Sequence, residues 1–417
     1  MASRSASQVP LLRDAPWLRA GSTQAVLSCL VERGFRARVV GGAVRNALMG
    51  RTVADVDIAT DARPTQVLAA AADAGLKTLA TGLQHGTVTV IALGQPFEVT
   101  TLRRDVETDG RHAVVAFTDD WTADASRRDL TLNALYCDAD GTLFDPLGGL
   151  DDLRAGHVRF IGDPHARIAE DYLRILRFFR FTAEYADGAP DGAGLAAAVA
   201  ARAGLQSLSA ERVRAELLRL MVARRAIPVV ETMAAHGLLT AILPVAPRLG
   251  VLSRLAAIET TQALAPSAVL RLAALAIVGS EDAQRLSKLL RLSGTERDVL
   301  QRAAETAPAG PGLDEVDQRA ALYRLGRNAF RERILLSWAQ SDAAADDSEW
   351  QRVLGLPDRW QAPDLPVSGQ DLLDRGLAPG PRIGRILAAF EAWWIAEAFP
   401  NDRPRIDAAL QAIIGKS

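Results

Sequence analysis

The pattern of apolar and polar positions changes character near residue 130 of this 417-residue chain. Before that point, short apolar runs separated by glycine-containing turns predict strands interleaved with helices, and beyond it apolar residues recur at helical spacing. The sequence therefore predicts an α+β fold with a small mixed sheet in the N-terminal part and helices after it. The predicted strands are 36–40, 53–59, 86–92 and 97–102, the last two joined by a hairpin at 94–96, and the predicted helices are 25–32, 43–49, 168–185, 195–203, 209–224 and most of 250–417.

The composition is that of an ordinary globular protein. Apolar residues make up 49% of the chain and charged residues 24%, which excludes a mostly disordered protein. No apolar run approaches the roughly 20 residues that span a bilayer, so we expect no membrane partner. The formal net charge of −2 excludes capture of nucleic acid by overall charge and leaves open a local basic groove.

The two cysteines help to predict the cellular compartment of the protein. Cys29 and Cys137 have neither the number nor the spacing of a disulfide framework or a zinc site, which predicts a reducing, cytoplasmic location. A mitochondrial presequence within residues 1–20 is the alternative, because this stretch carries three arginines and several serines. Two prolines and an aspartate disfavour the amphipathic helix that a presequence needs.

Two aspartates form the first candidate site. Asp55 and Asp57 flank Val56 in the predicted strand 53–59, so their side chains would share one face. Ionised carboxylates so close repel each other, and a divalent cation, Mg²⁺ above all, relieves the repulsion. Taken alone, an Asp-x-Asp tripeptide is more often solvated or a helix cap.

The segment before these aspartates favours the metal interpretation. Gly41 and Gly42 lie between a predicted strand and a helix start, where backbone can approach a phosphate and helical N–H groups can point at it. Arg45, on the first helical turn, can add a bidentate phosphate contact. With Asp55 and Asp57 following after nine residues, the pattern predicts a triphosphate cradle beside a metal site, as phosphoryl transfer requires.

A third acid, Glu98, lies in the predicted strand 97–102. Two interpretations stay open. Glu98 either faces the aspartate pair as a further catalytic carboxylate, or lies on the solvent side of an edge strand.

A charged segment, 170–180, predicts a helix that could recognise a base. Asp171 and Arg174 would lie one turn apart and act side by side. The carboxylate only accepts hydrogen bonds and the guanidinium only donates them, so the pair matches cytosine and adenine and mismatches uracil and guanine. Arg177 and Arg180 would meet phosphates or pack. The alternative is a helix held by internal salt bridges.

These segments resemble the conserved motifs of class II tRNA nucleotidyltransferases, the CCA-adding enzymes, which have a polymerase-beta-like catalytic core. Motif A is similar to 41–45 with 55–57, motif B to 127–135, the motif C hinge to 145–153, motif D to 170–180 and motif E to 209–216. Residues 103–124 resemble the flexible loop that serves the change from C to A addition, and 365–387 resemble a segment of the family's C-terminal body.

The resemblance implies an activity and a domain plan. The activity is template-independent addition of CCA to the 3′ end of tRNA from CTP and ATP, with two Mg²⁺ ions and release of pyrophosphate. The plan is a nucleotidyltransferase head in 1–150, a helical neck with the base-template helix in 151–225, and a helical body and tail in 226–417 that binds the tRNA acceptor stem.

The resemblance also implies roles for individual residues. The expected catalytic residues are Asp55, Asp57 and Glu98, the first two as metal ligands, and the expected nucleotide-binding residues are Gly42, Arg45, Arg128, Asp129, Asp171, Arg174, Arg177 and Arg180.

The chain departs from the family pattern at Asn46, where the family usually carries Asp, so a salt bridge or a metal-shell role there is in doubt. No His-Asp dyad of the HD phosphohydrolase type is present, and we expect no such domain. His85 is predicted to pack in a loop. The rival functions are a poly(A) polymerase, an enzyme that adds only CC or only A, and a catalytically inactive RNA-binding relative.

Overall fold

The computed structural model describes residues 12–109, 112–305 and 310–416. The chain divides into two compact units between Ile242 and Leu243. The predicted head and neck, and also helix 226–235, therefore belong to one unit. Residues 1–11, which carry part of the presequence alternative, and 110–111, within the predicted flexible loop, lie outside the described residues.

The first unit is built on a mixed sheet with the strand order β3-β4-β5-β2-β1-β8-β9. Strands β2 and β5 run parallel and the other neighbours antiparallel, while β6 and β7 form a separate hairpin. The predicted α+β fold class is thus confirmed. The strands are β1 Ala37–Val40, β2 Asp57–Thr60, β3 Lys77–Gly82, β4 Thr87–Ala92, β5 Gln95–Thr101, β6 Arg103–Asp109, β7 His112–Phe117, β8 Tyr136–Cys137 and β9 Leu143–Phe144.

Helices cover the sheet and continue beyond it in the same unit. They are α1 Pro16–Arg19, α2 Gly21–Val31, α3 Gly42–Leu48, α4 Pro64–Asp73, α5 Trp121–Ser126, α6 Gly149–Arg154, α7 Pro164–Glu170, α8 Leu173–Tyr185, α9 Gly192–Ala200, α10 Ala210–Met221 and α11 Ala226–Ala235.

The predicted hairpin between the fourth and fifth strands is confirmed. Its last pair is Ala92 with Gln95, and the two turn residues, Leu93 and Gly94, have φ of 48° and 81°. Two positive φ angles are what a two-residue turn needs to match the twist of its strands. The turn therefore lies one residue earlier than the predicted 94–96 segment, and Gln95 belongs to β5.

The predicted strand 53–59 is wrong at its N-terminal end. Strand β2 begins only at Asp57, whose partner in the ladder is Val40, the last residue of β1. Residue Gly41 turns the chain away from the sheet, so residues 51–56 have no strand to pair with. Asp55 consequently precedes the strand rather than lying within it.

The sequence pattern did not predict several secondary-structure elements. Helix α4 and strand β3 were not predicted, and the segment taken as a loop at 103–124 contains β6, β7 and α5. Strand β6 is rich in charged residues, which have low strand propensity. It pairs with the more apolar β7.

Helix α8 is anchored by buried apolar side chains. Ile175, Phe178 and Phe179 are fully buried, and the ring of Phe178 stacks on Phe160 at 5.2 Å between centroids. On α9, Gly194 lies so close that a Cβ there would be 2.9 Å from the Phe178 ring. The close packing holds α8 in one position relative to the rest of this unit.

The second unit is helical throughout its described residues. No helix in the described part of the chain is long and apolar enough to cross a membrane. The helices are α12 Leu249–Thr261, α13 Ala268–Ala276, α14 Ser280–Leu289, α15 Gly294–Ala304, α16 Glu315–Leu325, α17 Arg327–Gln340, α18 Ser348–Leu354, α19 Leu356–Arg359, α20 Gly369–Asp374, α21 Pro381–Ala396 and α22 Arg403–Lys416.

A buried ion pair crosses the core of this unit. The Arg271 Nε donates to Glu259 Oε2 at 2.7 Å, and both residues are less than 10% exposed. Burial raises the pKa of Glu259, and Arg271 opposes that shift without cancelling it. Removing one partner would leave a buried charge unpaired.

We predict that Arg271→Met lowers the free energy of unfolding of the chain by about 3 kcal/mol, because Glu259 then loses its cation. Urea denaturation followed by circular dichroism measures the change. The exposed Arg285, mutated in the same way, should change stability by less than about 0.5 kcal/mol. Equal losses in the two variants would contradict this account of the buried pair.

Candidate active site

The turn between β1 and α3 requires glycine at position 41. Gly41 has φ 72° and ψ −117°, a conformation that residues with a Cβ rarely adopt. A Cβ here would lie 3.6 Å from the Asn133 carbonyl oxygen and 3.9 Å from Arg128 Nη1. The turn therefore brings backbone directly against an arginine from another segment.

Asp57 and Glu98 lie side by side on one face of the sheet. Strands β2 and β5 are parallel with Ile58 paired to Val99, and both of these side chains are fully buried. The residues just before them, Asp57 and Glu98, therefore share the opposite face, where both are exposed. Strand β5 lies between β4 and β2, so the interpretation of Glu98 as an edge-strand residue is wrong.

The carboxylates repel each other electrostatically. Although Asp57 is exposed, the surrounding protein removes part of the water around its carboxylate and raises its pKa; the negative charges of Glu98 and Asp55 raise it further, whereas Arg128 lowers it. Among the described residues, no arginine or lysine lies within salt-bridge distance of any of these three acids. Within the described residues, the negative charge of the site is therefore offset only in part, by Arg128.

The donor set fits a divalent cation shared with a substrate. Asp55 and Asp57 offer hard oxygen ligands, which Mg²⁺-type ions prefer. Within the described ranges, no three acidic, histidine or cysteine side chains enclose a metal ion by themselves. Such ions are commonly held by one or two carboxylates, with waters and substrate phosphates supplying the remaining ligands.

Arg128 is held beside these acids by a buried cluster. Its Nε donates to the Tyr136 hydroxyl and its Nη2 to Asp124 Oδ2, both at 3.2 Å. The Asp124 side chain is 1% exposed, and despite burial its arginine neighbours lower its pKa. Sequence reasoning did not assign a role to Asp124 or Tyr136, although the four-residue spacing of Asp124 and Arg128 is a helical ion-pair signal.

Arg45, which the sequence predicts to contact a phosphate, is buried and has protein partners in this structure. Its Nη1 donates to Asn133 Oδ1 at 2.5 Å and its Nη2 to the Tyr185 hydroxyl at 2.9 Å. Burial lowers the pKa of Arg45. The guanidinium also lies 4.3 Å from the Tyr185 ring centroid, so in this structure it joins α3 to α8.

Asp129 connects that contact to the arginines of α8. Its Oδ1 accepts from the Asn133 amide at 2.9 Å, and its Oδ2 accepts from Arg177 Nε at 2.6 Å. Arg177 also lies 3.7 Å from Glu216 on α10, which accepts a hydrogen bond from Arg180. The carboxylate of Asp129 has a lowered pKa because the effects of Arg177 and its hydrogen bonds outweigh burial.

The predicted continuous helix 168–185 is wrong at Asp171. Helix α7 ends at Glu170 and α8 begins at Leu173, with Asp171 extended between them at φ −159°. Asp171 caps the second helix, because its Oδ1 accepts from the Leu173 N–H and its carbonyl from the Arg174 N–H. Aspartate favours such a cap over the helix interior.

The two residues of the predicted base template therefore have other partners. Asp171 Oδ2 accepts from Arg212 Nη2 at 2.6 Å. Arg174 donates to the carboxylate of Glu170 and, at 2.9 Å, to the Arg167 carbonyl. In this structure each of the two side chains is therefore paired with another residue of the chain.

Asn46 and His85 have clear positions. The Asn46 Oδ1 accepts from the Tyr185 hydroxyl and from Arg45, both at 3.3 Å, so the side chain belongs to the contact between α3 and α8. His85 is exposed, and its ring lies 3.3 Å from the Gln84 amide rather than packed in the loop.

Comparisons with known proteins agree with this geometry. Residues 37–159 match the family described as the poly A polymerase head domain, and 195–249 match the probable RNA and SrmB-binding site of polymerase A. The CCA tRNA nucleotidyltransferase 1, mitochondrial, of Homo sapiens is 33% identical, over 90% of this chain and 86% of its own length. This chain belongs to the CCA tRNA nucleotidyltransferase family.

Bacterial relatives also match most of the chain. The CCA-adding enzyme of Latilactobacillus sakei is 30% identical, over 90% of this chain and 94% of its own. The crystal structure of the Bacillus stearothermophilus CCA-adding enzyme in complex with CTP has a TM-score of 0.72 and 26% identity, covering 94% and 96% of the two chains. The resemblance inferred from the motifs is confirmed, and nucleotidyltransferases of this family use divalent metal ions.

We predict that Gly41→Ala lowers the free energy of unfolding by about 1 to 3 kcal/mol, because alanine is strained at φ 72°. The same change should weaken CTP binding by moving the turn away from Arg128. Thermal unfolding and isothermal titration with CTP measure the two effects.

Gly188→Ala is the matched control, since no atom lies within 4 Å of the Cβ it would gain. The account of the turn is contradicted if both alanine variants retain wild-type stability and CTP affinity.

Proposed function

We propose that this nucleotidyltransferase adds C, C and A to the 3′ end of tRNA from CTP and ATP and releases pyrophosphate. Relatives that match nearly the whole chain are named CCA tRNA nucleotidyltransferase and CCA-adding enzyme. A solved relative at 26% identity was crystallised with CTP, one of the two proposed substrates.

The observation that carries the proposal is the charge arrangement at the sheet. Asp57 and Glu98 share a face, Asp55 adds a third negative charge near Asp57, and Arg128 lies against the Gly41 turn. Three carboxylates whose charge is only partly offset by a guanidinium, next to a glycine turn, suit a ligand that is itself a metal-bound anion, as a nucleoside triphosphate is.

Each group then has a role. Asp55 and Asp57 would hold Mg²⁺, which when bound supplies charge neutralisation for the triphosphate and lowers the pKa of the tRNA 3′-hydroxyl. Arg128 stabilises negative charge on the nucleotide, and Gly41 and Gly42 allow its close approach. The hydroxyl attacks the α-phosphate in line and pyrophosphate leaves. The negative charge of Glu98 raises the pKa of the neighbouring Asp57.

Base selection by Asp171 and Arg174 is also part of the proposal. It requires both residues to change the partners that they have in this structure. Arg174 has to exchange its contact with Glu170 for the base, and Asp171 has to use the oxygen that Arg212 now occupies. We infer that nucleotide binding rearranges these two ion pairs. Arg177 and Arg180, held by Asp129 and Glu216, would line the nucleotide site from α8.

The remaining partners are also proposals. The helical part beyond residue 225 would hold the acceptor stem of tRNA through its phosphates and A-form shape. A cytoplasmic location is proposed for this chain, although the names of vertebrate relatives place those proteins in mitochondria.

We predict that Asp57→Asn lowers the rate of nucleotide addition at least about a hundredfold, because the site loses a metal-binding charge. The assay combines tRNA lacking its CCA tail, Mg²⁺ and labelled CTP and ATP, singly and together. The wild-type chain should add C, C and A and then stop. Binding of tRNA, measured by gel shift, should stay unchanged in the variant.

Asp73→Asn is the control, since that aspartate is exposed at the end of α4 and lies outside all the segments that resemble family motifs. Full activity of Asp57→Asn would refute the metal assignment. An open-ended ladder of A by the wild-type chain would instead identify a poly(A) polymerase, and no transfer would identify an inactive RNA-binding relative.

We predict that Asp171→Ala raises incorporation of UTP and GTP relative to CTP and ATP about tenfold or more, because the acceptor of the template is lost. Competition assays with all four nucleotides measure the ratio. Arg212→Ala is the companion variant, since it removes the partner of Asp171 and keeps the carboxylate. Unchanged rejection of UTP and GTP by Asp171→Ala would remove the template hypothesis.

A further inference from the structure

A single buried carboxylate, that of Asp124, joins four groups from three segments of the first unit. Its Oδ1 accepts from Arg127 Nε at 2.9 Å and from the backbone N–H of Arg103 at 3.3 Å. Its Oδ2 accepts from Arg128 Nη2 at 3.2 Å and from the Tyr136 hydroxyl at 2.9 Å. The two oxygens thus serve different sides of the structure.

The Oδ1 side is structural. It links α5 to the first residue of β6, where the β6–β7 hairpin begins. The Oδ2 side faces the site, because Arg128 is the arginine that lies against the Gly41 turn and influences the charge of Asp57.

Two of the three guanidinium nitrogens of Arg128 donate to protein groups on the Oδ2 side of Asp124. Nε donates to Tyr136 and Nη2 to Asp124, and the ring of Tyr136 lies 5.4 Å from the guanidinium carbon. Nη1 is the nitrogen nearest to Gly41, 3.9 Å from the position that a Cβ would take. The cluster therefore sets which edge of the guanidinium is presented at the turn.

The cluster of Asp124, Arg127 and Arg128 has one more positive charge than negative charges. One carboxylate lies between two guanidinium groups, so the cluster keeps a net positive charge on the side of Arg128. An arginine fixed in advance loses less rotamer entropy when it binds an anion than one that is free to move.

We propose that Asp124 is a positioning residue of the nucleotide site, which with the Tyr136 hydroxyl fixes Arg128 so that Nη1 meets the bound nucleoside triphosphate at the Gly41 turn. The inference rests on the proposed function, because it assumes that a nucleoside triphosphate binds there. It assigns affinity for the nucleotide to a residue that does not touch it.

The test is a double-mutant cycle between Asp124→Asn and Arg128→Gln. Steady-state addition to tRNA gives KM and kcat for CTP and ATP, and isothermal titration gives the CTP dissociation constant without tRNA. In the wild-type background, Asp124→Asn should raise both KM values about tenfold, the size of one lost charge-assisted hydrogen bond, with a smaller change in kcat. In the Arg128→Gln background it should change KM less than about twofold.

Tyr136→Phe and Arg127→Gln complete the design. Tyr136→Phe removes a partner on the Oδ2 side and should raise KM in the same direction as Asp124→Asn. Arg127→Gln removes a partner on the Oδ1 side and should leave the KM values within about twofold of wild type. Thermal unfolding of each variant reports loss of structure separately.

A purely structural role for Asp124 would give a different pattern. The proposal is overturned if Asp124→Asn raises KM equally in both backgrounds, or if Arg127→Gln raises it as much as Tyr136→Phe. Failure of the proposed function is distinguishable, because the wild-type chain would then bind CTP without extending tRNA, or would not bind CTP at all. In the first of these cases, the cycle measured by titration still decides the role of Asp124.

Discussion

Mutual repulsion of carboxylates at one end of the parallel strand pair is the constraint around which the site is built. The parallel register of β2 and β5 places Asp57 and Glu98 on the same face, and the chain entering β2 adds Asp55. Proteins rarely leave such charge without a cation nearby unless a ligand brings one. Arg128, whose charge lowers the pKa of Asp57, donates through two of its nitrogens to other groups.

A second set of interactions makes the position of α8 depend on the same region. From Tyr185 at the end of α8, hydrogen bonds and ion pairs run through Arg45, Asn133 and Asp129 back to Arg177 on α8, and then to Glu216 on α10. Buried hydrogen bonds and ion pairs of this kind favour the one arrangement in which their donors and acceptors meet. The glycine turn, the residues around Asp129 and the arginines of α8 are therefore held as one assembly within the first unit.

The sequence predicted the fold class and the hairpin of β4 and β5 from local patterns alone. It placed Asp55 within a strand because apolar and acidic residues alternate from Val53, yet strand pairing ends where Gly41 turns β1 away. It treated Asp171 as a helical residue because the apolar stripe continues past it, yet its capping bonds divide the helix.

The side-chain contacts of the site could not be predicted from the sequence, for a related reason. The partners of Arg45 and Arg177 are separated from them by many residues, and nothing in a linear pattern marks Tyr185 or Asn133 as their acceptors. Glu98 illustrates the same limit, since only the strand order shows that β5 is an inner strand.

The most direct test of the account is a crystal structure of this chain with Mn²⁺ and a non-hydrolysable CTP analogue, with the metal located by its anomalous signal. The account predicts a metal ion in contact with Asp55 and Asp57, and the triphosphate against the Gly41 turn within hydrogen-bonding distance of Arg128. A triphosphate bound elsewhere, or an anomalous peak away from both aspartates, would contradict it.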